Sequence, residues 1–232
     1  MKKKIVIIGG SHGIGLESVK LLAKDHEVIV LARTSENLDS LDCQYLEFDV
    51  LKNDISELDL PEEIHGLVYC PGSINLKPFK MLRPEAFKDE MEINFFSLVK
   101  VVQGLLPKLS KAEQASLVFF STVAVRVGMP YHTSVAAAKG AIEGFAKALA
   151  AEYAPAFRVN VIAPSLTDTR LAEKLLSNEG KRKRAEERHP LQRVGEAADI
   201  ANLVTFLLSE KSSWMTGQVL GMDGGLSAIN PN

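Results

Sequence analysis

Two cysteines, Cys43 and Cys70, are all that the 232 residues contain, and neither joins a cluster with metal-ligand spacing. A disulfide framework is therefore excluded, and the sequence predicts no metal site. So little thiol suits a reducing compartment, so a cytoplasmic location is expected. Net charge is nearly absent too, at −2. That gives no reason to expect nucleic acid or a membrane surface as the partner. No apolar run approaches the length needed to span a bilayer. Lys2-Lys3-Lys4 followed by Ile5–Ile8 has the charge order of a signal peptide. The apolar part is too short, however, and breaks at once into Gly9-Gly10, so it reads as a first buried strand. Repeats, low-complexity tracts and linker composition are missing as well, which leaves residues 1–232 as one domain.

What is present is an alternation. Ile5–Ile8, Val28–Leu31, Tyr45–Phe48, Gly66–Tyr69, Leu117–Phe120, Val159–Ile162 and Val219–Gly221 are near-continuous apolar runs of strand length. Between them, helix-period segments lie near Gly15–Lys24, Pro84–Leu106, His132–Tyr153 and Glu196–Leu208, with only a turn or two expected within the short acidic stretch Leu51–Glu63. Strands without polar alternation are covered on both faces. The pattern predicts α/β architecture: one doubly wound, Rossmann-type domain with a seven-stranded parallel sheet and helices on both sides. The polar segment at about 165–190 interrupts the regularity, and an insertion beyond a strand's carboxyl end would lie over the ligand crevice.

Gly9-Gly10-Ser11-His12-Gly13-Ile14-Gly15 follows the first strand and opens the first helix. Such a turn lets backbone N–H groups and a helix N-terminus approach a pyrophosphate. Its G-x-x-x-G-x-G spacing resembles that of the short-chain dehydrogenase/reductase family. So do Asp49-Val50, the Gly72 that ends Tyr69-Cys70-Pro71-Gly72, Asn160 through Pro164-Ser165, Leu191 through Ile200-Ala201, Thr216-Gly217-Gln218 and Asp223-Gly224-Gly225. The resemblance covers practically the whole chain. It implies a nicotinamide cofactor held by Gly9, Ser11, His12, Gly13, Ile14, Asp49, Val50, Cys70, Gly72, Asn94, Lys139, Pro164, Leu166 and Thr167. After the second strand stands Arg33, followed by Thr34-Ser35, where an acid would favour NAD(H). A guanidinium suits a 2′-phosphate, so NADP(H) is expected in preference to NAD(H).

The resemblance also implies a catalytic set, and here the chain departs from the family. Asn94, Thr122 and Lys139 match its asparagine, serine and lysine. Val135 stands where the family carries the proton-transferring tyrosine, four residues before the lysine. Valine can neither give nor take a proton. His132, seven residues before Lys139, is the candidate replacement because an imidazole is a competent acid near neutral pH. The competing reading of His132 is a helix-start residue bonded to local backbone, and that of Asn94 a tie between backbone segments. Tyr131 reads as packing. The run Lys181-Arg182-Lys183-Arg184 reads as a solvated helix face interleaved with Glu186 and Glu187, or as a contact for thioester phosphates.

The resulting expectation is an NADP(H)-dependent oxidoreductase acting on a small carbonyl or activated C=C substrate, an acyl thioester among the candidates. The alternative is a cofactor-binding sensor or structural subunit without activity. The family's habit and the small residues Ala136, Ala137, Ala138, Gly140, Ala141 and Gly144 imply a homo-oligomer, a tetramer.

Overall fold

Apolar runs too short for helices become strands here because helices cover both of their faces. The computed structural model describes residues 2–230. In chain order the strands are β1 (Lys4–Ile8), β2 (Glu27–Ala32), β3 (Cys43–Glu47), β4 (Gly66–Tyr69), β5 (Ala115–Phe120), β6 (Phe157–Pro164), β7 (Thr167–Asp168), β8 (Gly195–Glu196) and β9 (Val219–Met222). Seven of them form one parallel sheet in the order β3-β2-β1-β4-β5-β6-β9, while β7 and β8 pair separately. The helices are α1 (Gly13–Leu22), α2 (Pro84–Met91), α3 (Ser97–Leu109), α4 (Val123–Val127), α5 (Thr133–Tyr153), α6 (Glu179–Glu187) and α7 (Ala197–Leu208).

The strand period of two divides β1 between two cores. Ile5 and Ile7 pack with Val19 and Leu22 of α1 and with Ile200 and Val204 of α7. Val6 and Ile8 pack on the other side with Leu98, Val101 and Leu105 of α3 and Ile142 and Ala146 of α5. The expected doubly wound domain is therefore present, with differences at particular elements. β3 runs Cys43–Glu47 and not Tyr45–Phe48, and as an edge strand it is only partly buried. The Leu51–Glu63 stretch holds one 3₁₀ turn, Ile55–Glu57.

The expected single helix Pro84–Leu106 is α2 and α3 joined by a π-helical segment, Glu92–Phe96. It continues through Pro107, because proline's φ fits a helix and only one intrahelical bond is forfeited. Side chains answer the carbonyls that the wide turn displaces. Asn94 Nδ2 donates to Glu90 O at 2.9 Å, and Ile93 O accepts from Ser97 Oγ at 2.9 Å and Tyr69 Oη at 3.2 Å.

Winding outward from β1 in one direction and from β4 in the other opens a crevice where these strands meet, at their carboxyl ends. Truncating the fully buried Leu105 of α3 creates a cavity in the core. Leu105→Ala is expected to cost about 2–5 kcal/mol in urea unfolding.

Candidate active site

The turn after β1 is built around glycine. Gly9 and Gly13 have φ of +78° and +54°, in the left-handed region. A Cβ on Gly15 would stand 2.3 Å from the Gly9 carbonyl oxygen. Helix α1 starts here with no side-chain cap on its first N–H groups. Uncapped N–H groups at a helix N-terminus are donors for an anion, and with no Cβ in the way a pyrophosphate can approach. The residues thus fit a dinucleotide.

A cavity of about 590 Å³ opens from this turn. Gly9, His12, Gly13 and Ile14 border it, as do Cys70 and Gly72 beyond β4, Pro164 at the end of β6, and Leu166 and Thr167 beyond it. Thr122, His132, Val135 and Lys139 share its wall. Val135 and Lys139 lie one helical turn apart on α5 and present the same face. The cavity wall does not include Ser11, Arg33, Asp49, Val50 or Asn94. Ser11 is buried beneath the turn, while Arg33 is exposed at the end of β2. Asp49 accepts from the backbone N–H of Leu51 at 3.0 Å. His12 Nε2 lies 3.1 Å from Glu36 Oε2 and 3.0 Å from Arg170 Nη1.

Each expected catalytic side chain has a defined setting. Thr122 caps α4, its Oγ1 accepting from the Ala124 N–H at 3.3 Å. Accepting there leaves the hydroxyl proton available to a ligand. His132 sits at the cap of α5 and not within it, so its place on the cavity wall does not come from helical register. Its Nδ1 lies 2.7 Å from Pro130 O. A carbonyl only accepts, so Nδ1 carries a proton and Nε2 is the nitrogen open to exchange. Tyr131, 56% exposed with φ of +71°, points its role away from the cavity wall.

Lys139 is 9% exposed. Burial lowers its pKa to about 8, opposed by the negative charge of Glu90 and by Cys70. Burial also pushes the Cys70 thiol up to about 12, so that cysteine is no nucleophile at neutral pH.

Beneath Gly72 lies a buried polar group that the sequence reading missed. Glu90, 2% exposed, accepts from Ser73 Oγ at 2.7 Å and from Asn94 Nδ2 at 2.9 Å. Asn94 Nδ2 also reaches Ser73 Oγ at 3.1 Å. The carboxylate and the Glu90 carbonyl can only accept, which fixes the amide orientation. Asn94 Oδ1 is left buried without a partner. A Cβ on Gly72 would meet that oxygen at 3.0 Å and Lys139 Nζ at 3.2 Å. Glu90 and Asn94 are four residues apart, so their shared face was a signal available in the sequence.

The 165–190 segment supplies the outer wall. Leu171, Ala172 and Leu175 face the cavity, as do Lys181, Arg184 and Arg188. Arg182 turns aside to pair with Asp168 at 2.6 Å. His189, also on the wall, is 4% exposed and bonds Ser165 Oγ through Nε2 at 2.8 Å.

Comparison with known proteins agrees with this geometry. Residues 9–227 match the family described as Enoyl-(Acyl carrier protein) reductase. The chain is 31% identical over 241 residues to a 3-oxoacyl-(acyl-carrier-protein) reductase of Thermotoga maritima, covering 97% of each. It is 28% identical over 236 residues to the L-xylulose reductase of Bos taurus, again covering 97% of each. A solved short chain dehydrogenase family protein from Francisella tularensis superposes with a TM-score of 0.90 at 28% identity, over 99% of this chain and 100% of that one. The class so defined is that of hydride-transferring, nicotinamide-dependent oxidoreductases. Within it, the chain belongs to the short-chain dehydrogenase/reductase family.

The depressed Lys139 pKa has a thermodynamic consequence. Between pH 8 and its ordinary value of 10.5, the unfolded chain holds a proton there that the folded chain has released. Stability of the cofactor-free protein should therefore rise with pH across that window through this residue, by roughly 3 kcal/mol at most. Denaturant titrations at several pH values should show this rise flattened in Lys139→Met.

Proposed function

We propose that the protein is an NADP(H)-dependent reductase whose substrate is an activated C=C or carbonyl compound carrying an apolar chain and an anionic group, with an acyl thioester as the best fit. The observation that carries this reading is the common wall of Thr122, His132, Val135 and Lys139, in one cavity with the glycine turn. A bound nicotinamide supplies the hydride. Thr122 offers its hydroxyl proton to the substrate oxygen and fixes which carbon faces the cofactor. Lys139, mostly protonated at neutral pH, stabilises negative charge gathering on that oxygen.

Val135 decides between the two substrate types. Carbonyl reduction leaves a localised alkoxide that needs a proton at once. Hydride addition to a conjugated C=C leaves a delocalised enolate, which hydrogen bonds and a nearby cation can hold until carbon is protonated. A positioned general acid is worth about 10²–10⁴-fold, so losing the tyrosine weighs more heavily on the carbonyl reaction. His132, on the same wall with Nδ1 bonded to Pro130 O, is the residue assigned the proton exchange, through Nε2. For the substrate, Lys181, Arg184 and Arg188 recur on one face of the α6 segment beside Leu171 and Leu175, an apolar chamber with a cationic edge. Arg33 is the residue proposed for the cofactor's 2′-phosphate.

Oligomerisation through the outer faces of α5 and the π segment that leads into α3 is proposed on the exposure of Ala137, Gly144 and Phe96. Ala138 is not part of such a face, because it is fully buried against the core.

NADPH oxidation followed against matched enone and ketone thioesters should show turnover of the enone, with the ketone about 100-fold slower. Val135→Tyr should raise the ketone rate selectively. Tight cofactor binding without turnover of either class would replace the reading with that of a cofactor-binding sensor or structural subunit. Arg33→Ala is expected to weaken NADPH binding about tenfold or more in calorimetric titration, with NADH binding little changed.

A further inference from the structure

We propose that Ser73 and Glu90 form a proton route into this cleft, with Ser73 the hydroxyl that meets the substrate and Glu90 the positioning residue behind it. The inference rests on the hydride-transfer reading above and adds two residues to its machinery. Ser73 borders the cavity next to Gly72, on the same wall as Lys139 and Val135. Its hydroxyl donates to Glu90 Oε2 at 2.7 Å.

Glu90 is 2% exposed at the end of α2, where an ordinary helix of a folded domain buries an apolar side chain. A carboxylate is costly to hide from water unless it is paired and hydrogen-bonded. Here Asn94 Nδ2 and Ser73 Oγ both donate to it, and Lys139 is the nearby positive charge that responds to it. These polar groups converge beside a glycine that has no side chain to separate them: a Cβ at Gly72 would touch both Asn94 Oδ1 and Lys139 Nζ. A second serine–carboxylate pair, Ser121 with Glu143, also adjoins the cavity. Glu143 is partly exposed, whereas Glu90 is buried.

The chemistry balances as follows. In reduction, hydride with its electron pair passes from the nicotinamide to a substrate carbon. The negative charge so created takes the Ser73 hydroxyl proton, forming a new O–H or C–H bond. Ser73 Oγ is reprotonated by way of the Glu90 carboxylate, which passes on a proton taken from water in the cleft. One solvent proton is thus consumed for each hydride transferred, and Glu90 ends as the carboxylate it began as. The arrangement observed, with the serine donating to a carboxylate oxygen, is the one left after a reduction, and equally the one ready to accept a proton in oxidation.

The test uses the full chain with NADPH and the substrate class that the wild type turns over. Glu90→Gln and Ser73→Ala should each lower kcat about 100-fold. Substrate KM and NADPH affinity should stay within about threefold, and the solvent deuterium effect on kcat should change. Glu90→Asp should restore part of the rate. Glu143→Gln should leave kcat within about twofold. In cofactor-free protein, competitive acetylation read by mass spectrometry should show the Lys139 pKa falling in Glu90→Gln, since the carboxylate holds it up.

An unchanged kcat in Glu90→Gln overturns the proposal, and so does an unmoved Lys139 pKa. If Glu90→Gln does not fold, Ser73→Ala decides alone. A wild type that binds NADPH yet reduces nothing overturns the functional reading itself, and this proposal with it. An active wild type with unaffected variants overturns only the proposal.

Discussion

A buried ammonium is the constraint around which this cleft is organised. Lys139 is 9% exposed among Val135, Cys70 and Gly72, where water no longer solvates its charge. Desolvation lowers the pKa of the amine, and the negative charge of Glu90 opposes it. The result is a cation near its midpoint under mildly alkaline conditions, held against the cofactor crevice. Such a group is poorly suited to stabilising a fold and well suited to responding to charge that appears beside it.

The fold was legible because the sheet is buried on both faces. Runs such as Ile5–Ile8 and Leu117–Phe120 have no polar alternation and admit little besides a central parallel strand. Legibility failed at the edges of this rule. β3 is an outer strand with partly solvated residues, so its ends were displaced. The π segment Glu92–Phe96 was invisible because a helix with one extra residue per turn leaves no mark in an apolar pattern this short.

The site divides in the same way. The glycine turn could be read because backbone approach to a pyrophosphate demands it, and Lys139 because the chain resembles the short-chain dehydrogenase/reductase family at that helix. Glu90 was missed because an acid in a helix rich in charge reads as solvent-facing until tertiary packing encloses it, and its four-residue spacing from Asn94 was the only mark it left. Arg33, Asp49 and Val50, expected from the resemblance, stand outside the cavity wall. The basic run of α6 is divided between the cavity and solvent. Lys181 and Arg184 face the cavity while Arg182 faces Asp168, as a helix carrying successive charges must distribute them around its axis.

The hydroxyl of Tyr69 reaches from the last residue of β4 to the Ile93 carbonyl, and lies 2.6 Å from Ser97 Oγ on α3. That linkage stitches the strand that carries Cys70 and Gly72 to the widened turn that carries Asn94. Floor and flank of the crevice are therefore hydrogen-bonded to each other through one phenol, whereas α6 on the outer wall buries none of its residues and is held by surface contacts such as Arg182 to Asp168.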